Sequence, residues 1–299
     1  MTFATGNAPE LLWPGIRDIW GTTYNDLDSL YTQIFTAKTS DKAFEKEQGM
    51  TGLSLAAVKD QGSSIQFVDP YQGFQKEYVN ATYALGTSVT REMMEDGQYN
   101  YINSLPKFLA RSLRQTEETI HFNHLNNAFA AGTTGADGVS LVNASHPNVG
   151  GGTQSNQPTT ASDLTETALE TAVTDIMNWT DDMGLRINVM PKRLVIGTAL
   201  WAVARKILET DKVVDSADNT KNVVRSMFNQ GALVSPWIVD TDAWWIVTNI
   251  DNGLISYTRR AAEIVRENEF TTQNLQFATT KRWSSGWTDW KGVYGTAGA

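Results

Sequence analysis

Glu118, His121 and His124 stand three residues apart within LPKFLARSLRQTEETIHFNHLNNAFAA, residues 105–131. On a helix, Glu118 and His121 make a Glu-x-x-His pair, and carboxylate-bridged di-iron sites use two such pairs plus two further glutamates on facing helices. The only other histidine, His146, precedes Pro147 in a glycine-rich stretch, so a second pair cannot be made. The expectation is an exposed or partly packed polar helix face. His146, Ser145 and Asp137 supply the residue types of a hydrolase triad, but the G-x-S-x-G elbow is missing and near neighbours in sequence rarely face each other as a triad. Turn chemistry accounts for Asp137-Gly138 and His146-Pro147 as well. Gly150-Gly151-Gly152 runs into Thr-Gln rather than Lys-Ser/Thr and opens no apolar helix, so it is not a phosphate loop. Lys107, Arg111 and Arg114, at i, i+4 and i+7, form a basic strip read as a solvated face pairing with Glu117, Glu118 or a neighbouring subunit; three charges are a weak phosphate signal. The chain has no cysteine, which removes disulfides, thiolate catalysis and cysteine-based zinc sites. No catalytic, cofactor-binding or metal-ligating residue is therefore assigned, and the chain is expected not to be an enzyme.

The element carrying most of these residues is the longest helical pattern in the chain. Pro106 near its start and Gly132 just past its end punctuate a helix over 105–131. Leu109, Leu113, Thr116 and Ile120 form its stripe, continued by Phe122, Leu125 and Phe129. At ~1.5 Å per residue it is roughly 40 Å long and would cross most of the body as a spine. Before it, residues 1–45 read as an arm, with a helix over Thr22–Phe35 (Leu27, Leu30, Tyr31 and Ile34 on one side) and a polar exposed stretch from Lys38 to Gln48. Residues 50–85 read as an extended β-hairpin: Ser64–Phe67 alternates, and Val79, Ala81, Tyr83 and Leu85 share a face. A short helix is expected around Glu92–Tyr101.

After the spine, Gly132–Ser162 has six glycines and Asp137 as its only charge. Loops of that length are usually functional or disordered. Asp163 is expected to cap a helix to Trp179 with Leu164, Ala168, Leu169, Ala172, Val173 and Ile176 as its apolar face. Residues 185–250 read as an α/β unit: a strand at Pro191–Gly197, a helix at Thr198–Leu208, a polar loop at Asp211–Asn222, and two strands in Val234–Thr248 joined across Asp240-Thr241-Asp242. Strands follow at Leu254–Tyr257, Glu263–Arg266 and Phe277–Trp283. Five of the ten tryptophans fall in the last 56 residues, where large aromatics serve as core or interface anchors.

The composition is that of an ordinary soluble protein, 299 residues with 41% hydrophobic and 19% charged. A net charge of −9 and a pI near 4.9 argue against a general nucleic-acid binder, which needs a basic patch to displace counterions. No signal sequence and no 18-residue apolar run occur, so synthesis in a cytoplasm and a soluble product are expected. The N-x-Ser/Thr triplets at Asn80, Asn143 and Asn178 are then chance matches.

Arm, β-hairpin, spine helix, glycine-rich loop, α/β unit and return strands, in that order, resemble the major capsid proteins of tailed bacteriophages with the Hong Kong 97-type fold. Tyr83–Glu92 (YALGTSVTRE) through Glu95–Tyr99 (EDGQY) is similar to the junction between extended loop and spine in Mu-like major head subunits. Asp137–Leu141 (DGVSL) with Ser145-His146-Pro147 is similar to their post-spine loop, and Arg282–Gly295 (RWSSGWTDWKGVYG) to their C-terminal ending. The resemblance spans nearly the whole chain. It implies an α+β fold with an N-terminal arm at 1–45, an extended loop at 46–85, a peripheral domain at 86–184 and 253–299 containing spine helix 105–131, and an axial domain at 185–252. It further implies a major capsid protein that self-assembles as pentamers and hexamers into an icosahedral shell around double-stranded DNA in the virion, after synthesis in the host bacterial cytoplasm. The DNA would be enclosed without sequence-specific binding and without a membrane. A separate scaffolding protein, a portal and head decoration or completion proteins would be partners, and no cofactor is implied. The polar side of the spine, with Lys107, Arg111, Arg114 and His121, would face the shell interior. Some relatives cross-link through lysine and asparagine; Lys59 and Lys76 lie in the corresponding arm, but no motif supports a cross-link.

Two other readings compete. An encapsulin-type nanocompartment shell would share the fold and enclose a cargo enzyme instead of DNA, and the Trp-rich ending favours the phage branch. A soluble enzyme using the Glu118–His121–His124 face would bind iron or zinc stoichiometrically.

Overall fold

The computed structural model describes residues 9–96, 99–210, 222–269 and 271–299. Helix α1 (Pro9–Asp26) turns Ile16 and Trp20, one turn apart, into a buried contact with a helix further along the chain. Of the helix expected at 22–35, only 22–26 is helical, as the last residues of α1. The backbone N–H groups of Leu30 and Tyr31, which a continuing helix would direct to its own carbonyls, go instead to the carboxylate of Glu118 at 2.9 and 3.2 Å. Only one 3-10 turn, Tyr31–Gln33, follows. The polar stretch 38–48 is largely strand. β1 (Thr36–Thr39) is a sheet edge, and β2 (Phe44–Met50) pairs antiparallel with β3 (Gln72–Val79); Lys46 and Gln48 stay in solvent, whereas Glu45 and Glu47 are half-buried and accept from Ser40 Oγ and Lys38 Nζ, each at 2.8 Å.

Residues 51–71, between β2 and β3, contain no strand or helix; the alternation at Ser64–Phe67 has no partner strand to pair with. The expected continuous run through Leu85 is split at Asn80 into β3 and β4 (Ala81–Val89). The buried Asn80 amide donates to Ser40 Oγ at 2.8 Å and accepts from Ser284 Oγ at 3.0 Å, which turns the chain there. Val79 and Leu85 are exposed, whereas Tyr78 and Val89 are buried.

Thr90 caps α2 (Arg91–Glu95), its hydroxyl accepting the N–H of Met93. The long helix α3 runs Tyr99–Asn126, 28 residues, so it is shifted relative to the expected 105–131. Pro106 is buried inside it, where its ring removes a single ladder bond. It ends well before Gly132: the Asn127 side-chain amide takes the helix carbonyl of Asn123 at 2.9 Å, and that of Asn126 ties the helix end to the carbonyl of Trp237 at 3.0 Å. The following loop is ordered by the short ladder of β5 (His146–Pro147) with β6 (Thr153–Gln154) and a bridge between Thr134 and Ser140. Helix α4 (Glu166–Met177) buries Leu169, Ala172, Val173 and Ile176; its cap is Thr165, not Asp163, which binds the N–H of Ala299.

β7 (Pro191–Gly197), helix α5 (Trp201–Glu209, after a 3-10 turn at Thr198–Leu200), β8 (Ala232–Ser235) and β9 (Trp244–Thr248) make the α/β unit. The expected polar loop 211–222 lies, except for Asn222, outside the described residues. The three strand segments expected after Gly253 merge into a long antiparallel pair, β10 (Leu254–Asn268) and β11 (Leu275–Trp287), with register shifts between Thr258 and Glu263. β12 (Val293–Thr296) ends the chain.

Two four-stranded sheets result, in the orders β1-β10-β11-β4 and β12-β9-β7-β8. The last strand crosses the expected boundary: residues 293–296, grouped in the sequence with the spine's sheet, pair with β9 in the other one. α4 departs in the same way, packing with Leu194, Ile196, Trp244 and Ile246 of that second sheet. Period-2 alternation explains why β9 is buried throughout. Trp244 and Ile246 face α4 and α5, whereas Trp245 and Val247 face the C-terminal part of α3 through Phe122 and Leu125. The N-terminal part of α3, through Ile102, Leu105, Leu109 and Leu113, packs with α1 and with Phe277 and Trp283 of the first sheet. One helix thus supports both sheets.

Candidate functional site

Three arrangements carry the polar and exposed residues singled out above. The first lies at the middle of α3. The buried stripe Leu109–Leu113 continues through Glu117, Glu118 and His121, not through Thr116 and Ile120, which are half-buried. The expectation of an exposed or partly packed face at Glu118 and His121 is thereby overturned. Glu117 has no exposed surface and is a hub: Lys281 Nζ at 3.0 Å, Arg114 Nη1 at 3.0 Å, and the hydroxyls of Tyr24 and Tyr31 at 2.5 and 3.4 Å all reach its carboxylate. Arg114 also donates to the carbonyl of Tyr24 and lies over its ring, 4.0 Å from the centroid. The basic strip is broken accordingly. Lys107 and Arg111 are exposed, while Arg114 is turned into the joint between α1 and α3.

His121 is 1% exposed, stacked on Tyr31 at 3.8 Å and edge-on to Phe35 at 4.9 Å. Its Nδ1 lies 2.6 Å from the carbonyl of Glu117, so Nδ1 donates, and Nε2 accepts from Ser256 Oγ at 2.9 Å. Burial lowers the ring's pKa to about 3, which keeps it neutral in this tautomer. His124 meets Ser285 Oγ at 2.9 Å and is lowered to about 4, chiefly by burial, with the Lys76 charge adding to it. Burial also raises the Glu118 carboxyl, although the Tyr31 and Leu30 N–H groups oppose the shift. The phenols of Tyr24 and Tyr31 are pushed up by burial and by the Glu117 charge, and Lys281 is lowered by burial against the pull of Glu117. Both ring nitrogens of His121 and both Glu118 oxygens are occupied by protein partners, so the Glu-x-x-His pair does not open toward a common ligand. Among the described residues, no three His, Asp or Glu side chains converge as metal ligands.

The second arrangement is in the loop after α3. His146 is buried, stacked on Trp290 at 4.5 Å, with Nδ1 2.6 Å from Asp137 Oδ2 and Nε2 3.0 Å from Asn156 Oδ1. Asn156 is held with its Nδ2 on the carbonyls of Leu141 and Val293, at 2.7 and 2.8 Å, and its Oδ1 on the N–H of Asn143 at 2.8 Å. His146 Nε2 therefore donates to Asn156, and a single proton bridges Nδ1 and Asp137. Ser145 is exposed and faces neither nitrogen, its N–H going to Asn143 Oδ1, so the triad residue types do not assemble. The glycines of 150–152 serve a turn: Gly151 and Gly152 both have positive φ, and Asn148 closes on the carbonyl of Gly152.

The third arrangement is the segment 51–71. Thr51 and Tyr71 close its neck, with the N–H of Thr51 on the carbonyl of Tyr71 at 3.1 Å and the N–H of Tyr71 on Thr51 Oγ1 at 2.9 Å. Beyond them the chain carries apolar side chains in solvent: Leu55 is 78% exposed, Val58 94% and Phe67 91%. Scattered exposed apolar residues need no explanation, but here Leu53, Ile65 and Tyr71 are exposed as well, within the same stretch.

Glu117, Lys281 and Asn156 carry the two buried joints, and none was singled out as a site from sequence. Lys281 left a signal: it has the parity of Leu275, Phe277, Thr279 and Trp283, so a period-2 strand sends it inward to need a carboxylate. Asn156 left none, because its role comes from partners 10 to 137 residues away.

Residues 75–296 match the profile of the phage capsid protein family. This chain belongs to that family. The match begins inside β3 and ends with β12, so it takes in α3, the second sheet and all of the first sheet except β1. A search among curated sequences finds no match. Among solved structures, the fold is shared with a virus-like particle from Pyrococcus furiosus (13% identity, 94% of this chain and 97% of that one, TM-score 0.55). It is also shared with Microbacterium phage Oxtober96 (11% identity, 90% of each chain, TM-score 0.57). A third is the capsid of bacteriophage JBD30 decorated with minor capsid protein trimers (13% identity, 71% of this chain and 91% of that one, TM-score 0.57). At these identities the likeness establishes the fold. Membership of a phage capsid family gives the buried clusters a structural role: they fix α1, α3 and both sheets into one body from which residues 51–71 project. Among the described residues, no helix is long and apolar enough to cross a membrane.

Proposed function

We propose that this chain is the major capsid (head) protein of a tailed phage, built on the Hong Kong 97-type fold and close to Mu-like head subunits. Its copies assemble as pentamers and hexamers into an icosahedral shell that encloses double-stranded DNA. The observation that carries this reading is the apolar segment 51–71, which its own subunit leaves uncovered. Laid on an adjacent subunit, its exposed side chains at ~25 cal/mol per Å2 of buried apolar surface supply a modest contact. Many copies of that contact in a closed shell hold by multivalency. In this reading 51–71 with β2 and β3 is the extended loop. The sheet β1-β10-β11-β4 with α1 and α3 forms the peripheral part, and the sheet β12-β9-β7-β8 with α4 and α5 the axial part. A scaffolding protein, a portal and decoration proteins are its partners, the last by analogy with the decorated JBD30 capsid. The subunit is made in the host cytoplasm and ends in the virion. Its chemistry is assembly, with no catalysis. The test replaces residues 53–69 with a short Gly-Ser turn across the Thr51–Tyr71 neck. The subunit should fold and fail to form shells by sizing and negative-stain microscopy; normal shells would refute the role of the segment.

A second reading, a nanocompartment shell around a cargo protein, is favoured by the match to the Pyrococcus furiosus virus-like particle over nearly the full length of both chains. Nuclease-resistant double-stranded DNA in purified particles supports the first reading. A stoichiometric protein cargo with no DNA supports the second.

A further inference from the structure

A polar cleft of about 210 Å3 opens where the turn after α1 meets the start of β7 and the end of β9 in the second sheet. Lys192, Arg193, Gln33, Gln230, Asn249 and Asp251 give it its polar character. At ~30 Å3 per water molecule, the cleft has room for several waters or one small polyatomic ion.

The backbone explains why two adjacent cations border the same cleft. Pairing runs from Pro191 with Thr248 directly to Arg193 with Val247, so Lys192 is the extra residue of a β-bulge. In a regular strand, neighbours point to opposite faces; a bulge re-aims a side chain, and here it brings Lys192 to the side of Arg193. Neither has a carboxylate within ion-pair distance among the described residues. Asp251, the one acid in the lining, is exposed and joins no ion pair there. Arg193 Nη1 donates to Gln33 Oε1, but its Nε–H is buried and no protein acceptor reaches it. A buried donor left unmet on a cation costs more than the bond would contribute, and such a group calls for a physical explanation, an ion among them. Burial also lowers the Arg193 pKa, as expected for a guanidinium held without a countercharge. Asn249 spends its carbonyl oxygen on the N–H of Met190 at 3.0 Å, which leaves its amide N–H2 as a further donor.

We propose that this cleft is a small-anion site, in which the Arg193 fork and Lys192 bind a tetrahedral oxyanion, free or as a phosphodiester. Arg presents planar paired donors that suit such an anion, and Lys adds a point charge. Located between the N-terminal turn and the second sheet, a bound anion would tie Gln33 to β7 and hold the two together.

The experiment titrates the purified full-length chain with inorganic phosphate, against sodium chloride at matched ionic strength, reading 31P line broadening and thermal midpoint. Phosphate should broaden and raise the midpoint where chloride does not, as binding to the native state alone requires. Arg193→Gln should weaken the apparent affinity at least tenfold, with Arg193→Lys in between. Should Arg193→Gln fail to fold by circular dichroism, Lys192→Gln, at a partly exposed bulge position, is expected to weaken it severalfold. A short DNA duplex separates the sources: competition with phosphate assigns a phosphodiester-accepting site, and its failure a free-anion site. Equal responses to phosphate and chloride, or a phosphate response unchanged in a folded Arg193 or Lys192 variant, would overturn the proposal.

Discussion

Lys281 and Glu117 face each other at 3.0 Å with side chains 10% and 0% exposed, joining the inward face of β11 to the middle of α3. Arg114 and two tyrosine hydroxyls converge on the same carboxylate, so Glu117 neutralises buried charge from α3 and the first sheet and ties in α1 through the Tyr24 hydroxyl. Removing it leaves two cations without their counterion. Glu117→Ala should therefore destabilise the subunit by about 3–5 kcal/mol in urea unfolding. Lys281→Met on top of Glu117→Leu should recover part of that loss, because it deletes one uncompensated charge and fills the space. Effects that simply add across Glu117→Leu, Lys281→Met and the double variant would show that the pair is not coupled.

The two helix histidines make stability fall in acid. Unfolded, both take up a proton near the usual 6.5; folded, burial holds His121 to about 3 and His124 to about 4. Between those values the unfolded chain binds more protons, so the stability present above about pH 6.5 is lost as pH falls. The limiting slope for two such groups is about 2.7 kcal/mol per pH unit. Glu118, raised by burial, acts in the opposite sense just above its ordinary range, since there the folded state holds the extra proton. Urea midpoints of the unassembled subunit should drop between pH 7 and 4.5. The His121→Gln/His124→Gln variant should give a flatter profile; an identical slope would assign the acid sensitivity elsewhere.

How much of this was legible depends on where each residue's partners lie. Helix α4, strand β7 and the return strands follow from local periodicity, since their apolar faces repeat at 3.6 or 2 residues. The ends of α3 did not, because Pro106 reads equally as a first-turn residue and as a buried interior one, and because no spacing announces the bonds that Asn126 and Asn127 make at the helix end. Glu118 looked like half a metal pair, yet it caps a turn 87 residues away. The likeness to tailed-phage capsids could be read from the order of elements, and the family match agrees with it. The grouping of β12 with β9 was hidden, since a four-residue strand carries no mark of which sheet it will join.

Asn156 should tolerate no replacement that loses its mixed donor and acceptor character. Asn156→Asp places an anion 2.7 and 2.8 Å from the carbonyls of Leu141 and Val293, where the amide now donates. Asn156→Leu leaves those carbonyls, the N–H of Asn143 and His146 Nε2 unpaired, at about 1–3 kcal/mol for each buried group left unsatisfied. Both should unfold at markedly lower urea than the parent, with Asp the worse above its pKa. Because Asn156 ties the post-α3 loop to Val293, hydrogen exchange should speed up in both 137–157 and 290–296. Faster exchange in the loop alone would mean that the C-terminal strand is held independently.

The projecting segment separates folding from assembly. Val58 and Phe67 are more than nine-tenths exposed and lie beyond the Thr51–Tyr71 neck, so Val58→Asp and Phe67→Asp should change subunit stability by no more than about 0.5 kcal/mol. If 51–71 lies on a neighbour, the same substitutions bury a carboxylate in an apolar contact at every copy, a cost that multiplies around a closed shell. Sizing of the double variant should then show subunits or capsomers in place of megadalton particles, at an unchanged urea midpoint. Tyr78→Ala is the contrast: Tyr78 is buried against Tyr257 and bonded to Thr288 at 2.6 Å, so its loss should lower the midpoint itself. Full shells from the Val58→Asp/Phe67→Asp subunit would place the inter-subunit contact elsewhere on the surface.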